Sequence, residues 1–350
     1  MEFKVNTALS PGFEILGLIY CHYHHEIYDE SHVSSSMAEL GFNAGELYKK
    51  SGNMIKRYVA AFEKKIDLQD GDAVFFKGDL NELIVFLGIF FSETPEWLEG
   101  MDDISEEEAR KELMEGLGLW LSDGSISENT SANEIINTLN KVGFTPDVCW
   151  RVMLMVQEPK QQLQHLVSII RRNMPAYESA LSAIEKPLKQ CLANFQKANS
   201  NIEGQKTRQR LRAMSEIVRP STGIHAVTPI LISPFAELVI LDTIYSGLFS
   251  DELFRITENS QKAPTANPIF KALSDSSKFD IMLALKQSPK YNLELAEHMG
   301  LTAATISHHM QMLLLHGIVS VEKRDGRVYY TLQKDVIKEA AEQLLEVFDV

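Results

Sequence analysis

The sequence predicts a mainly α-helical protein, with a helical N-terminal domain that carries a small β element and a shorter C-terminal winged helix-turn-helix domain. Three observations predict it. Apolar residues recur three and four apart through most of 12–200. β-branched residues broken by prolines fill 224–249, which suits short strands. Residues 291–332 then read as helix, glycine turn, helix and hairpin, in that order.

With 350 residues, 45% hydrophobic and 23% charged, the chain has the composition of an ordinary folded protein and length for two or three domains. Its three cysteines, Cys21, Cys149 and Cys191, are far apart and odd in number. A disulfide framework is therefore not expected, and a reducing compartment fits. No N-terminal stretch has the pattern of a secretion signal, and the longest apolar run, "LIVFLGIFF" at 83–91, is about half a membrane span. The expectation is a cytoplasmic protein without a membrane segment. The net charge of −14 argues at first against nucleic acid. It is unevenly spread, however: residues 265–350 hold nine Lys/Arg and eleven Asp/Glu, a net of −2, so the remainder carries −12.

Element by element, residues 13–30 suit a helix that ends in histidines. "MIKRYVAAFEKKI" (54–66), "SEEEARKELMEGLGLWL" (105–121) and "PKQQLQHLVSIIRRNM" (159–174) are amphipathic. Ser105 and Glu108 form a capping box, and Pro159 sits where a first-turn proline is tolerated. Pro175 and Pro187 are expected to interrupt or start helices within 159–199. After a polar, basic stretch at 199–222, two short strands are expected in 224–249, with Pro229 and Pro234 restricting them to edges or strand starts. "ENSQKAPTANP" (258–268) reads as a linker, dividing an N-terminal domain, 1–260, from a C-terminal domain, 267–350.

In the C-terminal part, a short helix (292–299) is followed by Gly300, where the backbone turns left-handed without a Cβ penalty, and by a second helix (303–315). Ala296 lies where the two helices cross and a larger side chain would hold them apart. Leu295, Met299, Leu301, Ile306, Met310, Leu313 and Leu314 supply the apolar faces. "VSVEK" and "VYYTL" alternate apolar and polar residues around Asp325-Gly326, the pair a type I′ hairpin turn prefers. Lys323, Arg324 and Arg327 flank this tip and are placed to grip phosphates. The second helix offers Thr302, Thr305, Ser307, His308, His309 and Gln311, short polar groups and imidazoles suited to base edges or phosphates. Either histidine could instead be a core or a solvated residue.

Residues 267–348 resemble the winged-helix domain of the ArsR (arsenic-repressor) family of bacterial transcription regulators. The resemblance rests on "IFKALSDSSKFDIMLAL", "LAEHMGLTAATISHHMQML", "HGIVSVEKRDGRVYYTL" and the terminal helix "KDVIKEAAEQLLEVF". It implies a homodimer held by the first and last helices of this domain, with paired recognition helices in successive major grooves of a pseudopalindromic operator. The terminal helix adds an apolar stripe of its own: Val336, Ile337, Ala340, Ala341, Leu344, Leu345 and Phe348. Part of it must pack within the monomer, leaving part for a second subunit. The first 264 residues resemble the long N-terminal region that precedes the winged helix in some large members, a likeness carried by "WRVMLMVQEPKQQLQHLVSIIRRNMPAYESAL" and "TPILISPFAELVILDTIYSG". It names no ligand. Two departures stand out: "YNLELAEHMG" lacks the Cys-x-Cys of metal-sensing members, and the last helix carries Asp335, Glu339, Glu342 and Glu346 but no histidine.

"YCHYHHEIYDESH" (20–32) nevertheless concentrates metal-ligating side chains, with Cys21, His22, His25 and Glu26 as candidates on helical spacing. Three ligands on one helix rarely suffice, His165 and His225 are isolated, and no metal or other cofactor is expected. Residues 1–264 hold no Gly-rich phosphate loop, GxSxG or HExxH, and the acidic pairs at Asp70/Asp72 and Asp102/Asp103 read as turns, so an enzyme is not expected. The reading is a dimeric, DNA-binding repressor whose N-terminal domain receives a small-molecule or protein signal. The alternatives are a protein-interaction module, a fused enzyme, or a metal sensor built on the histidines.

Overall fold

The computed structural model describes residues 4–25, 44–78, 87, 99–121, 126–142, 144–199, 226–235, 237–240, 243–250, 252, 268–301, 303–315, 317–324 and 327–348. It is mainly helical, with two small sheets. Strand β1 (Lys4–Val5) leads into helices α1 (Pro11–Tyr23), α2 (Ala44–Glu63), α3 (Glu106–Leu121), α4 (Ala132–Val142), α5 (Pro146–Gln157), α6 (Pro159–Ala183) and α7 (Glu185–Asn199). Strands β2 (Ala226–Ile230), β3 (Glu237–Ile240) and β4 (Thr243–Gly247) follow. No helix among the described residues is long and apolar enough to cross a membrane. Residues 258–267 of the linker, His225 and 79–98 apart from Leu87 lie outside the described residues.

The first hydrophobic core is organised by α6, against which α1, α2, α3 and α5 pack. Leu163, Leu166, Val167, Ile170, Tyr177 and Ala180 on α6 are all buried, at the three- and four-residue spacing that puts them on one face. Pro175 does not interrupt this helix, contrary to the sequence expectation: α6 runs through it to Ala183. Pro175 sits on the exposed face, where water can donate to the preceding turn in place of the N–H that proline lacks. The break comes at Ile184, and Pro187 occupies the first turn of α7. Helix α1 ends at Tyr23, short of the expected 30.

The N-terminal sheet has order β1-β2-β4-β3, with β2 parallel to both neighbours and β3 antiparallel to β4. Segment 224–249 thus contributes three strands rather than two, and Pro229 stands in an inner strand rather than at an edge. Ile230 faces β4, accepting from the Leu248 N–H at 3.0 Å, while the Val227 carbonyl turns to the β1 side, accepting from the Asn6 N–H at 2.9 Å. By alternation the missing Pro229 donor also falls on the β1 side, beyond the end of that two-residue strand, so no ladder bond is lost.

Glu14 on α1 is fully buried and ties these layers together. One carboxylate oxygen accepts from the Leu231 and Ile232 N–H groups at 2.7 and 3.2 Å, the other from the Tyr58 hydroxyl at 2.8 Å. Burial pushes its pKa up to about 7 against the opposing pull of those three bonds. Asp72 is also buried, and accepts from Gln69 N–H, His165 Nε2 and Arg172 Nη2 at 2.8, 2.8 and 2.6 Å. Burial raises its carboxyl, but these bonds and the Arg172 charge outweigh it, leaving the pKa below the usual range. His165, isolated in the sequence, is therefore a structural partner of Asp72. Asp102 accepts from Arg171 at 2.7 Å. Both acidic pairs thus contain a carboxylate that holds helix α6 in place.

A candidate nucleic-acid interface

A second hydrophobic core gathers α8 (Pro268–Ser274), α9 (Ser276–Gln287), α10 (Asn292–Met299), α11 (Ala303–Leu315) and α12 (Lys334–Val347) with β5 (Lys290–Tyr291), β6 (Val319–Arg324) and β7 (Arg327–Leu332). Asp275 caps α9, accepting from the Lys278 N–H at 2.9 Å and its Nζ at 2.7 Å. Burial raises the Asp275 carboxyl, but Lys278 and the nearby His309 imidazole more than offset this and lower its pKa.

Helix α10 opens with the Glu294 carboxylate accepting from the Tyr291 N–H at 3.2 Å and closes at Gly300, with φ 64° and ψ 29°. Nothing lies within 4 Å of where a Gly300 Cβ would be, so glycine is required here by backbone conformation rather than by space. The Leu301 N–H returns to the Ala296 carbonyl at 3.0 Å, closing the helix end and turning the chain into α11. Leu295, Ala296, Ile306, Met310, Leu313 and Leu314 are buried between the helices, with Met299 and Leu301 packed partly against them. Every apolar position expected to pack this helix pair does so.

Strands β6 and β7 pair antiparallel from Val319↔Leu332 to Arg324↔Arg327, leaving a two-residue connection at 325–326 outside the described residues. β5 pairs with the other edge of β7. Val319, Val321, Tyr330 and Leu332 are buried and Glu322 is exposed, so the alternation read in the sequence is the alternation of the wing.

Thr305 is exposed on the N-terminal half of α11. His309 is half-buried, and its charge helps to lower the Asp275 carboxyl. Ser307, His308 and Gln311 occupy α11, and Lys323, Arg324 and Arg327 occupy the far end of the hairpin; their side chains, and Thr302 entirely, lie outside the described residues. Met312, which lies about 130° around the helix from the core-facing stripe, is nevertheless only 5% exposed. Helix α4 approaches α11, and Val142 at its end packs on the second core. No periodicity in either segment announces this contact.

The histidine-rich stretch is arranged differently from the helical face imagined for it. Cys21 is buried in the first core, Glu26 lies outside the described residues, and His24 Nε2 is 2.9 Å from the Phe76 carbonyl. His22 and His25 come together with Glu63, a residue from the end of α2 that the local sequence could not supply. Helix α10 has no cysteine and α12 no histidine.

Comparison with known proteins agrees with this geometry. The family described as "Bacterial regulatory protein, arsR family" matches residues 275–321. The "Transcriptional repressor SdpR" of Bacillus subtilis (strain 168) is 29% identical over 79 residues, 23% of this chain and 88% of that relative. The "Arsenical resistance operon repressor" of Staphylococcus aureus is 30% identical over 76 residues, 22% of this chain and 73% of that relative.

Proposed function

Since the chain belongs through its C-terminal winged helix to the arsR family of bacterial regulatory proteins, and is a DNA-binding regulator rather than an enzyme, we propose that it is a dimeric repressor of a pseudopalindromic operator. The recognition helix is 303–315 and the wing 318–332, acting in the cytoplasm on double-stranded DNA. Thr302, Thr305, Ser307, His308 and Gln311 face the bases or phosphates, with His309 at the margin of that surface, and Lys323, Arg324 and Arg327 grip the backbone. Residues 1–260 form a regulatory domain that receives a small-molecule or protein signal, and 267–350 form the DNA-binding domain.

The observation that carries this reading is the helix, left-handed glycine, helix and wing assembled on one core, with exposed Thr305 on the outer side of α11. Dimerisation is supported by apolar side chains left in solvent on α9 and α12: Phe279, Leu283, Leu344, Leu345 and Phe348 are 41–68% exposed. Communication between domains is supported by α4 against the recognition helix. A ligand that distinguishes the states with and without that contact would shift DNA affinity.

Fluorescence anisotropy on the chain's own upstream DNA, titrated in salt, tests the reading. Arg324→Ala and Arg327→Ala should each weaken binding to every sequence and reduce the salt slope by about one unit. Thr305 or Gln311 substitutions should change which sequence is preferred. Wing variants with unaltered affinity would overturn the docking.

A further inference from the structure

We propose that His22, His25 and Glu63 form a divalent transition-metal site of the Zn(II) class, in the N-terminal region and apart from the winged helix. His22 closes the last turn of α1, His25 follows two residues beyond its end, and Glu63 is the last residue of α2. One ligand atom from each can be chosen so that all three lie within 4.8 Å of one another. The Glu63 Oε1 is 3.9 Å from His22 Nδ1 and 3.4 Å from His25 Nδ1. A tetrahedral ion with bonds of about 2.0–2.1 Å sets its ligand atoms about 3.3–3.4 Å apart. One contact already has that spacing, and the widest pair must close by at most about 1.5 Å to reach it. The His25 side chain is 70% exposed and has room to supply that movement.

Two further observations point to a cation. His22 Nδ1 is buried and has no hydrogen-bond partner, a costly arrangement for an imidazole nitrogen unless something else occupies its lone pair. Helices α1 and α2 also both end here, at Tyr23 and Glu63, so two helix C-termini place partial negative charge around the cluster. Lys64 and Lys65 oppose this, but both are exposed and their charges are screened by water. Two imidazoles and one carboxylate suit Zn(II) and its neighbours better than Ca(II) or Mg(II), which prefer oxygen alone. Three protein ligands leave a fourth position for water. The ion would join the ends of two helices that both pack on α6.

The site is tested on the full chain without DNA, so its failure is separate from failure of the repressor reading. After removal of metals with a chelator, Zn(II) is titrated in competition with a chromophoric chelator, and Co(II) is added as a spectroscopic probe. One Zn(II) per chain and the intense visible absorption of four-coordinate Co(II) are expected. His25→Ala and Glu63→Ala should each weaken Zn(II) binding at least about tenfold, while His298→Ala, an exposed histidine elsewhere, leaves it unchanged. Circular dichroism checks that the variants keep their helices; both side chains are partly exposed, so folding should survive. Absence of binding, or binding that His25→Ala and Glu63→Ala leave intact, would overturn the site.

Discussion

Glu14 is the residue whose chemistry the fold alters most visibly. A glutamate titrates at 4.5 when unperturbed and at about 7 in this interior. Between those values the folded chain keeps a proton that the unfolded chain has released. Stability is therefore greatest below about pH 4.5 as far as this group is concerned, falls as pH rises to about 7, and is level above. The loss across that window is about 3 kcal/mol. Glu14→Gln should keep the network, its amide oxygen accepting from the two N–H groups and its nitrogen donating to Tyr58, and should remove this slope. Urea unfolding at pH 5 and pH 8 checks it; an equal pH dependence in the two proteins would refute the assignment. Asp72 acts in the opposite sense. Its lowered carboxyl contributes stability above the unfolded value of 3.8, and that contribution disappears as pH falls through the folded value. Neither partner set was legible in the sequence: Tyr58, Leu231 and Ile232 lie far along the chain from Glu14, as His165 and Arg172 do from Asp72.

At the scale of elements, α12 shows how one apolar stripe divides between two duties. Ala340 is buried, and Val336 and Ile337 pack partly on the second core, whereas Leu344, Leu345 and Phe348 remain 42%, 51% and 68% exposed. The first half of the helix packs on the core of the monomer, whereas, among the described residues, these side chains of its second half stay largely uncovered. If it meets a second subunit, Leu345→Asp with Phe348→Asp should shift sedimentation from dimer to monomer and weaken operator binding by more than tenfold. The helix itself should persist, since these side chains do not support the core. An unchanged dimer would move the interface elsewhere. Helix α6 offers the complementary lesson: the periodicity around Pro175 continues into Tyr177 and Ala180, and burial of that face outweighs a proline placed toward solvent.

Across the whole molecule, the two cores meet where Val142 of α4 packs on the winged helix and α4 approaches α11, whose Met312 is buried. If the side of α11 that α4 approaches is the one that enters a DNA groove, this contact competes with docking. Val142→Asp, which puts a charge into that contact, should therefore raise operator affinity, by about threefold or more if about 0.7 kcal/mol of contact opposes docking. Anisotropy titration at fixed salt measures it. Lower affinity would mean that the contact supports the DNA-binding form instead, and unchanged affinity would remove α4 from the signal path.

The winged helix was determined by the sequence alone, because its signals are local: the glycine at 300, the alternation through 319–332 and the helical stripe through 306–314 each act within a few residues. The mainly helical class was determined in the same way. Tertiary structure decided the rest. It fixed the strand order that leaves Pro229 without a lost bond, the burial of Glu14 and Asp72, the approach of α4 to α11 and the arrival of Glu63 beside His22 and His25. Each of these joins residues far apart in the chain, and periodicity carries no information about which distant side chain will fill a neighbour's unsatisfied valence.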